Sequence, residues 1–248
     1  MGNSTTTGYI IPVYNESEIL VETIRELSEF LSGLEREFEI IVVENGSTDG
    51  TRKLVKDLAE THEYLSGFYL ENADYGEALK KGIEVTPHEH NFFLNLDWWD
   101  REFIRQSLCD LEEVDLIVGA KNLSSSVDNR SPYRKFLTWG LNGLLSVLVG
   151  FRGQETHGLK AFNKSDIHGL IPDIELRRGM FDTELVLRAQ YEGVSSKERP
   201  VTLDDDRPAR NWMIKKISQN LVDLVFLTWI IRRDYGWILP SSDAIRDE

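Results

Sequence analysis

The run Glu39-Ile40-Ile41-Val42-Val43 constrains this chain more than any other stretch. It is β-branched and continuously apolar, with none of the alternation of a strand that has one wet face, so it needs cover on both faces. It ends abruptly in Glu44-Asn45-Gly46-Ser47-Thr48-Asp49-Gly50-Thr51, turn and cap chemistry that leads into an amphipathic segment. The same order recurs. GYIIPV (8–13), GFYL (67–70), NFFLNL (91–96) and DLIVGA (115–120) read as further strands. The apolar positions Ile19, Leu20, Ile24, Leu27 and Leu31 follow helical spacing, with Asn15 or Ser17 as the cap. Alternation of this kind predicts βαβ units and an α/β fold with a mostly parallel sheet flanked by helices.

The second half is less regular. It offers a helix over 133–151, a strand at HGLKAF (157–162), a helix over 181–192, the segment SSKERPVTL (195–203) and an apolar stretch from Ile217 to Leu239. No repeat or low-complexity linker divides the 248 residues, so a main domain over 1–215 is expected, with 216–248 as an apolar helix and tail. A net charge of −14 argues against a nucleic-acid partner, which would need an extended basic face. The single cysteine, Cys109, allows no internal disulfide and fits a reducing, cytoplasmic setting, as does a start without a secretory leader.

Ligands of open α/β sheets bind beyond the carboxyl ends of the strands. Four successive strand ends carry unusual polar residues: Pro12-Val13-Tyr14-Asn15-Glu16, the Glu44–Thr51 stretch, Asn72-Ala73-Asp74-Tyr75-Gly76-Glu77-Ala78, and Asn95-Leu96-Asp97. Each alone reads as a turn or helix cap, but together they form a polar rim. A Walker-type phosphate loop is absent.

In order and spacing these segments resemble the family 2 glycosyltransferases of the GT-A fold, most nearly the dolichyl-phosphate mannose and glucose synthase group. The resemblance covers roughly residues 8–215. It implies an inverting hexose transfer from a nucleotide diphosphate-sugar, GDP-mannose or UDP-glucose, to a polyprenyl phosphate. Pro12, Tyr14, Glu16, Glu44, Asn45 and Asp74 would line the nucleotide pocket, with Asn45 standing where the family usually has an aspartate. Asn95 and Asp97 occupy the aspartate motif and would hold Mg2+ or Mn2+ at the donor diphosphate. Asn95 brings no charge, so metal affinity should fall. Trp99 replaces a glutamine common in mannose synthases, and Asp100 either compensates or caps a helix.

The acceptor side has its own candidates. Arg134, Thr138, Asn142 and Ser146 recur every four residues on an otherwise apolar helix. By the resemblance, Arg130 and Arg134 would meet the acceptor phosphate. Arg207 and Arg210 would belong to a basic loop beside the phosphates. Glu155-Thr156-His157-Gly158-Leu159-Lys160 resembles a stretch edging the acceptor, where His157 is either structural or a metal ligand. Phe181-Asp182-Thr183-Glu184-Leu185 resembles a helix start at which Asp182 or Glu184 would serve as base if the acceptor were a hydroxyl. The apolar stretch from Ile217, with Trp229, Trp237, Arg232 and Arg233, fits either a peripheral helix on the cytoplasmic membrane face or one packed on protein. Two rival functions stay open: transfer to a glycan or envelope-precursor hydroxyl, and a silent nucleotide-sugar binder.

Overall fold

The computed structural model describes residues 6–121, 123, 127–128, 132–203 and 213–236; for 127–128, 132–138, 178, 203 and 213–221 it describes the backbone alone. The elements run β1 (Thr7–Val13), α1 (Leu20–Ser32), β2 (Phe38–Asn45), α2 (Thr51–Thr61), β3 (Leu65–Leu70), α3 (Tyr75–Val85), β4 (His90–Phe93), α4 (Arg101–Asp110) and β5 (Leu116–Ala120). The chain continues through β6 (Val127–Asp128), α5 (Pro132–Val149), β7 (Lys160–Asn163), α6 (Lys164–Ile167), α7 (Phe181–Tyr191), β8 (Ser196–Pro200), β9 (Thr202–Leu203) and α8 (Met213–Tyr235).

One sheet orders its strands β3-β2-β1-β4-β7-β5-β8. All pairings are parallel except those of β7, which lies antiparallel between β4 and β5. The alternation of side chains across the sheet explains the apolar β2 run. Ile41 and Val43 enter a core with α3, α5, α7 and α8, while Ile40 and Val42 enter a second core with α1, α2 and α4. Each face of the strand therefore has its own helical cover. The helix α7 is the most enclosed element, with every residue from Phe181 to Gln190 buried.

One local expectation is corrected, and one open alternative is resolved. Neither Asn15 nor Ser17 caps α1; the helix starts at Leu20 without a side-chain cap, and the Glu16 carbonyl accepts from Ile19 and Leu20 N–H. Asn15 instead adopts a left-handed backbone (φ 55°) and reaches into the neighbouring loop. Asp100 does cap α4, accepting from Phe103 N–H, and its other oxygen accepts from Thr202 N–H. With both oxygens engaged, it is not a substitute metal ligand.

Candidate active site

The strands β3, β2, β1 and β4 are neighbours in the sheet, so their four carboxyl ends form one rim. Hydrogen bonds lace its loops together. Asn15 N–H donates to Ser47 Oγ (3.0 Å) and Asn15 Oδ1 accepts from Thr48 N–H (2.8 Å). Glu16 N–H donates to Thr51 Oγ1 (2.9 Å). Asp49 accepts from Ser17 N–H and from both Thr51 N–H and Thr51 Oγ1. These bonds, the Thr51 hydroxyl first, hold the Asp49 carboxyl well below the usual carboxylate range.

Glu44 and Asn45 close β2 from the inside. Glu44 is fully buried; Oε1 accepts from Ser47 N–H (2.5 Å) and Oε2 pairs with Arg52 Nε at 2.6 Å. Arg52 also donates to the Leu70 carbonyl, which ties α2 to the end of β3. Asn45 Oδ1 accepts from Asp74 N–H (2.7 Å), and Asp74 in turn caps α3 through Glu77 N–H. That bond needs only a carbonyl oxygen, so the amide at 45 keeps it. Gly46 (φ +68°) lies so near the next loop that a Cβ would sit 2.9 Å from the Asn72 carbonyl carbon. Beside this framework Pro12 and Glu16 are half-buried, and Tyr14 is 44% exposed.

The β4 end turns tightly, with Trp98 N–H donating to the Asn95 carbonyl (3.4 Å), which leaves Asp97 exposed at the corner. The antiparallel β7 matters here. Its first residue, Lys160, pairs with Phe93 of β4 and Val118 of β5, so the segment entering β7 arrives at the same edge that the parallel strands leave. Gly158, in a left-handed conformation, brings the backbone close to Lys121 and Trp98. Lys121 lies 5.7 Å above the Trp98 ring and 3.6 Å from Glu155 Oε2.

Beneath this edge is a buried polar group. Lys160 is fully buried, and its Nζ lies 2.5 Å from Asp182 Oδ1 while also donating to the Gly158 carbonyl. Burial, followed by the negative charge of Asp182, its hydrogen bond and Asp97, pushes the Tyr75 phenol well above its ordinary value, so it stays protonated. His157 is held below its usual value, by burial first and then by Lys160 and Lys121 against the pull of Glu155 and Asp182. Its Nδ1 lies 3.0 Å from Thr156 Oγ1.

Glu184 does not join this group. It is fully buried and accepts from Glu175 N–H, Leu176 N–H and Arg188 Nε, so it clamps the approach to α7. Arg134 lies on α5, where only the backbone is described, and Arg130, Arg207 and Arg210 lie outside the described residues. Sequence reasoning gave no role to Lys121 or Arg177, and named Tyr75 and Lys160 only as members of a polar strand end and of the acceptor-edge stretch. Arg177 lies 3.7 Å from both Asp74 and Glu77 at the start of α3. The position of Lys121 just past β5 was a signal of the same kind.

The donor set at the β4 turn consists of oxygen atoms, one carboxylate and one amide carbonyl. Among the described residues no three His, Cys, Asp or Glu side chains gather as a metal cage. Oxygen donors of this kind would suit a hard cation only if further ligands came from outside the protein.

The sequence pattern described as glycosyl transferase family 2 matches residues 9–161. A dolichyl-phosphate beta-glucosyltransferase of Trichomonas vaginalis is 28% identical, over 96% of this chain and 75% of its own. One of Dictyostelium discoideum is 26% identical, over 73% and 61%. Among solved structures, glucosyl-3-phosphoglycerate synthase from Mycobacterium tuberculosis, with Mn2+, uridine diphosphate and phosphoglyceric acid, superposes with a TM-score of 0.64 at 16% identity, over 90% of this chain and 78% of that one. A mannosyltransferase from Pyrobaculum calidifontis, with GDP-Man and Mn2+, gives 0.60 at 21% identity, over 89% and 62%.

Proposed function

Because this chain belongs to glycosyl transferase family 2, we propose that it moves a hexose from a nucleotide diphosphate-sugar to a polyprenyl phosphate of the dolichyl type. The observation that carries the acceptor assignment is the state of the two carboxylates offered as bases. Glu184 is consumed by backbone N–H groups and Arg188, and Asp182 already faces the Lys160 ammonium and the Tyr75 hydroxyl. A hydroxyl nucleophile must lose a proton to a free base. A phosphate oxygen is already anionic and has no such need. The names of the dolichyl-phosphate relatives point the same way.

The chemistry is then a displacement with inversion, as in the resembled family. The acceptor phosphate oxygen bonds to the anomeric carbon, the bond from that carbon to the donor diphosphate breaks, and the nucleoside diphosphate leaves with the electron pair. Tyr14, Glu16, Pro12 and the Asn45–Asp74 link shape the donor pocket. The buried Glu44–Arg52 pair holds its floor. Asp97 and Asn95 would hold Mg2+ or Mn2+, which supplies positive charge for the leaving diphosphate. Lys121, beside the Trp98 ring, and Arg130, Arg134 and Arg207 would supply cations for the phosphates.

The test is transfer of labelled sugar from UDP-glucose and from GDP-mannose to polyprenyl phosphate, with and without Mn2+ or Mg2+. UDP-glucose is expected to serve, given the glucosyltransferase relatives. Label entering the organic phase supports the proposal. Donor turnover with label only in water-soluble products overturns the acceptor and favours a hydroxyl. Nucleotide binding without turnover favours a silent binder.

A further inference from the structure

Asn45 is only 6% exposed, yet half of its amide binds nothing. Its Oδ1 accepts from Asp74 N–H at 2.7 Å. Only an oxygen can fill that place, so the bond also fixes which way the amide is turned. Nδ2 keeps two N–H donors with no hydrogen-bond partner among the described residues, and it is not one of their fully enclosed unpaired atoms. A donor in that state, at the mouth of a strand, asks for a ligand acceptor. The strand order β3-β2-β1-β4 reverses its winding between β1 and β4, and ligands of open α/β sheets enter the crevice beyond the carboxyl ends at such a point. Val13 pairs with Glu44, so Tyr14 and Asn45 leave neighbouring strands side by side. Alternation along β2 puts Glu44 against Arg52 of α2 and Asn45 against Asp74 at the start of α3.

The carboxylates of these strand ends are committed elsewhere. Both oxygens of Glu44 are engaged, by Ser47 N–H and Arg52. Both of Asp49 are engaged, by Ser17 and Thr51. Asp74 Oδ1 caps α3, and its Oδ2 lies 3.7 Å from Arg177. Asn45 therefore offers donors where these three acidic side chains have no acceptor to spare. Nucleobases differ on this count. The pairing edge of uracil carries two carbonyl acceptors, O4 and O2, around one N–H. That of guanine carries one carbonyl, O6, beside an N–H and an amino group. A donor among committed acceptors matches uracil and leaves more of guanine unpaired, and each unpaired polar group costs about tenfold in affinity.

We propose that Asn45 is a specificity-determining residue, whose Nδ2 donates to a carbonyl of uracil and so selects uridine over guanosine diphosphate-sugars. This deepens the nucleotide-sugar reading of the site and rests on it. Calorimetry with UDP and with GDP, Mn2+ present in both, tests it without any acceptor. Wild type binds UDP about tenfold or more tightly than GDP. Asn45→Asp keeps an oxygen for Asp74 N–H and turns the other half of the group from donor to acceptor. UDP then weakens, GDP tightens, and the ratio moves about tenfold or more toward GDP. Equal affinities in wild type, or a ratio that Asn45→Asp moves by less than about threefold, overturn the proposal. If a carboxylate at this buried position prevents folding, the wild-type chain with 2-thio-UDP and 4-thio-UDP answers instead. Sulfur is a poor acceptor, so one of the two binds about tenfold more weakly than UDP, and equal binding by both overturns the contact. Base preference without sugar transfer to a polyprenyl phosphate refutes the acceptor and leaves Asn45 in its role. Transfer without base preference does the reverse, and failure to bind either nucleotide refutes both.

Discussion

Replacing Asp182 with asparagine isolates the charge of the buried pair from its shape. The amide keeps an oxygen for Lys160 Nζ and Tyr75, so packing and hydrogen-bond count barely change. What is lost is the anion opposite a lysine whose exposure is 0%. Removing one partner of a buried pair costs about 3–5 kcal/mol, and the retained hydrogen bond puts Asp182→Asn near about 3. In a chain of this size each kcal/mol moves the melting temperature by roughly 2–4 °C, so thermal unfolding should fall on the order of 10 °C. Lys160→Met should cost a comparable amount. The double variant Lys160→Met/Asp182→Leu should lose much less than the sum, because neither charge is left without the other. Circular dichroism melts of wild type, Lys160→Met, Asp182→Leu and the double variant complete the cycle. An Asp182→Asn melt within about 1 °C of wild type would refute the pair as structural. The same variant tests the chemistry: turnover per folded molecule on a polyprenyl phosphate should stay within about fivefold. A loss of about a hundredfold or more with KM unchanged would make Asp182 a base after all.

Other consequences follow from individual contacts. Gly46→Ala forces a Cβ against the Asn72 backbone in a left-handed conformation, costing at least about 1–2 kcal/mol and weakening nucleoside diphosphate binding, which calorimetry would show. Glu184→Gln should lower the melting temperature while turnover per folded molecule holds, since the side chain clamps Arg188 and the backbone before α7. Asn95→Asp should tighten Mn2+ binding, read from the fluorescence of the adjacent Trp98 and Trp99, and Asp97→Ala should abolish it. Burial raises the Asp110 carboxyl, but hydrogen bonds from Arg199 and Lys197 outweigh this and leave it below its ordinary value. Its stabilisation is therefore complete above the unfolded value of about 3.9 and is lost as pH falls through the lower folded value. Urea melts of wild type and Asp110→Asn should accordingly converge only in that acidic range.

Much of the donor half was legible because its signals are local. The β2 run shows in the bare sequence that both faces need cover, and each polar strand end directly follows its strand. Asn95 and Asp97 were recognisable for the same reason. The partners were not legible. Nothing near Glu44 in sequence marks Arg52 as its counter-ion, and Asn15 reads as an ordinary cap although its amide works across to Thr48. On the acceptor side the signals are long-range. Lys160 and Asp182 form one unit only because β7 reverses direction, and β7 reads as any other short strand. Asp182 and Glu184 look equivalent in sequence. Two residues apart on a helix, they face nearly opposite sides, one against Lys160 and the other among the N–H groups of Glu175 and Leu176.

The reversed strand also bears on how the protein is made. Strands β1 to β3 and the helices between them can assemble as soon as they leave the ribosome, since each pairs with a near neighbour in sequence. Strand β4 must reach back past β2 and β3 to join β1, and β5 lies against β4 only through β7. A nascent chain that stops short of Lys160 therefore carries three bare, adhesive margins, one on β4 and both of β5, whose other neighbour β8 also comes later. For that interval the half-made enzyme depends on dilution or on chaperones, and premature termination there should yield insoluble fragments.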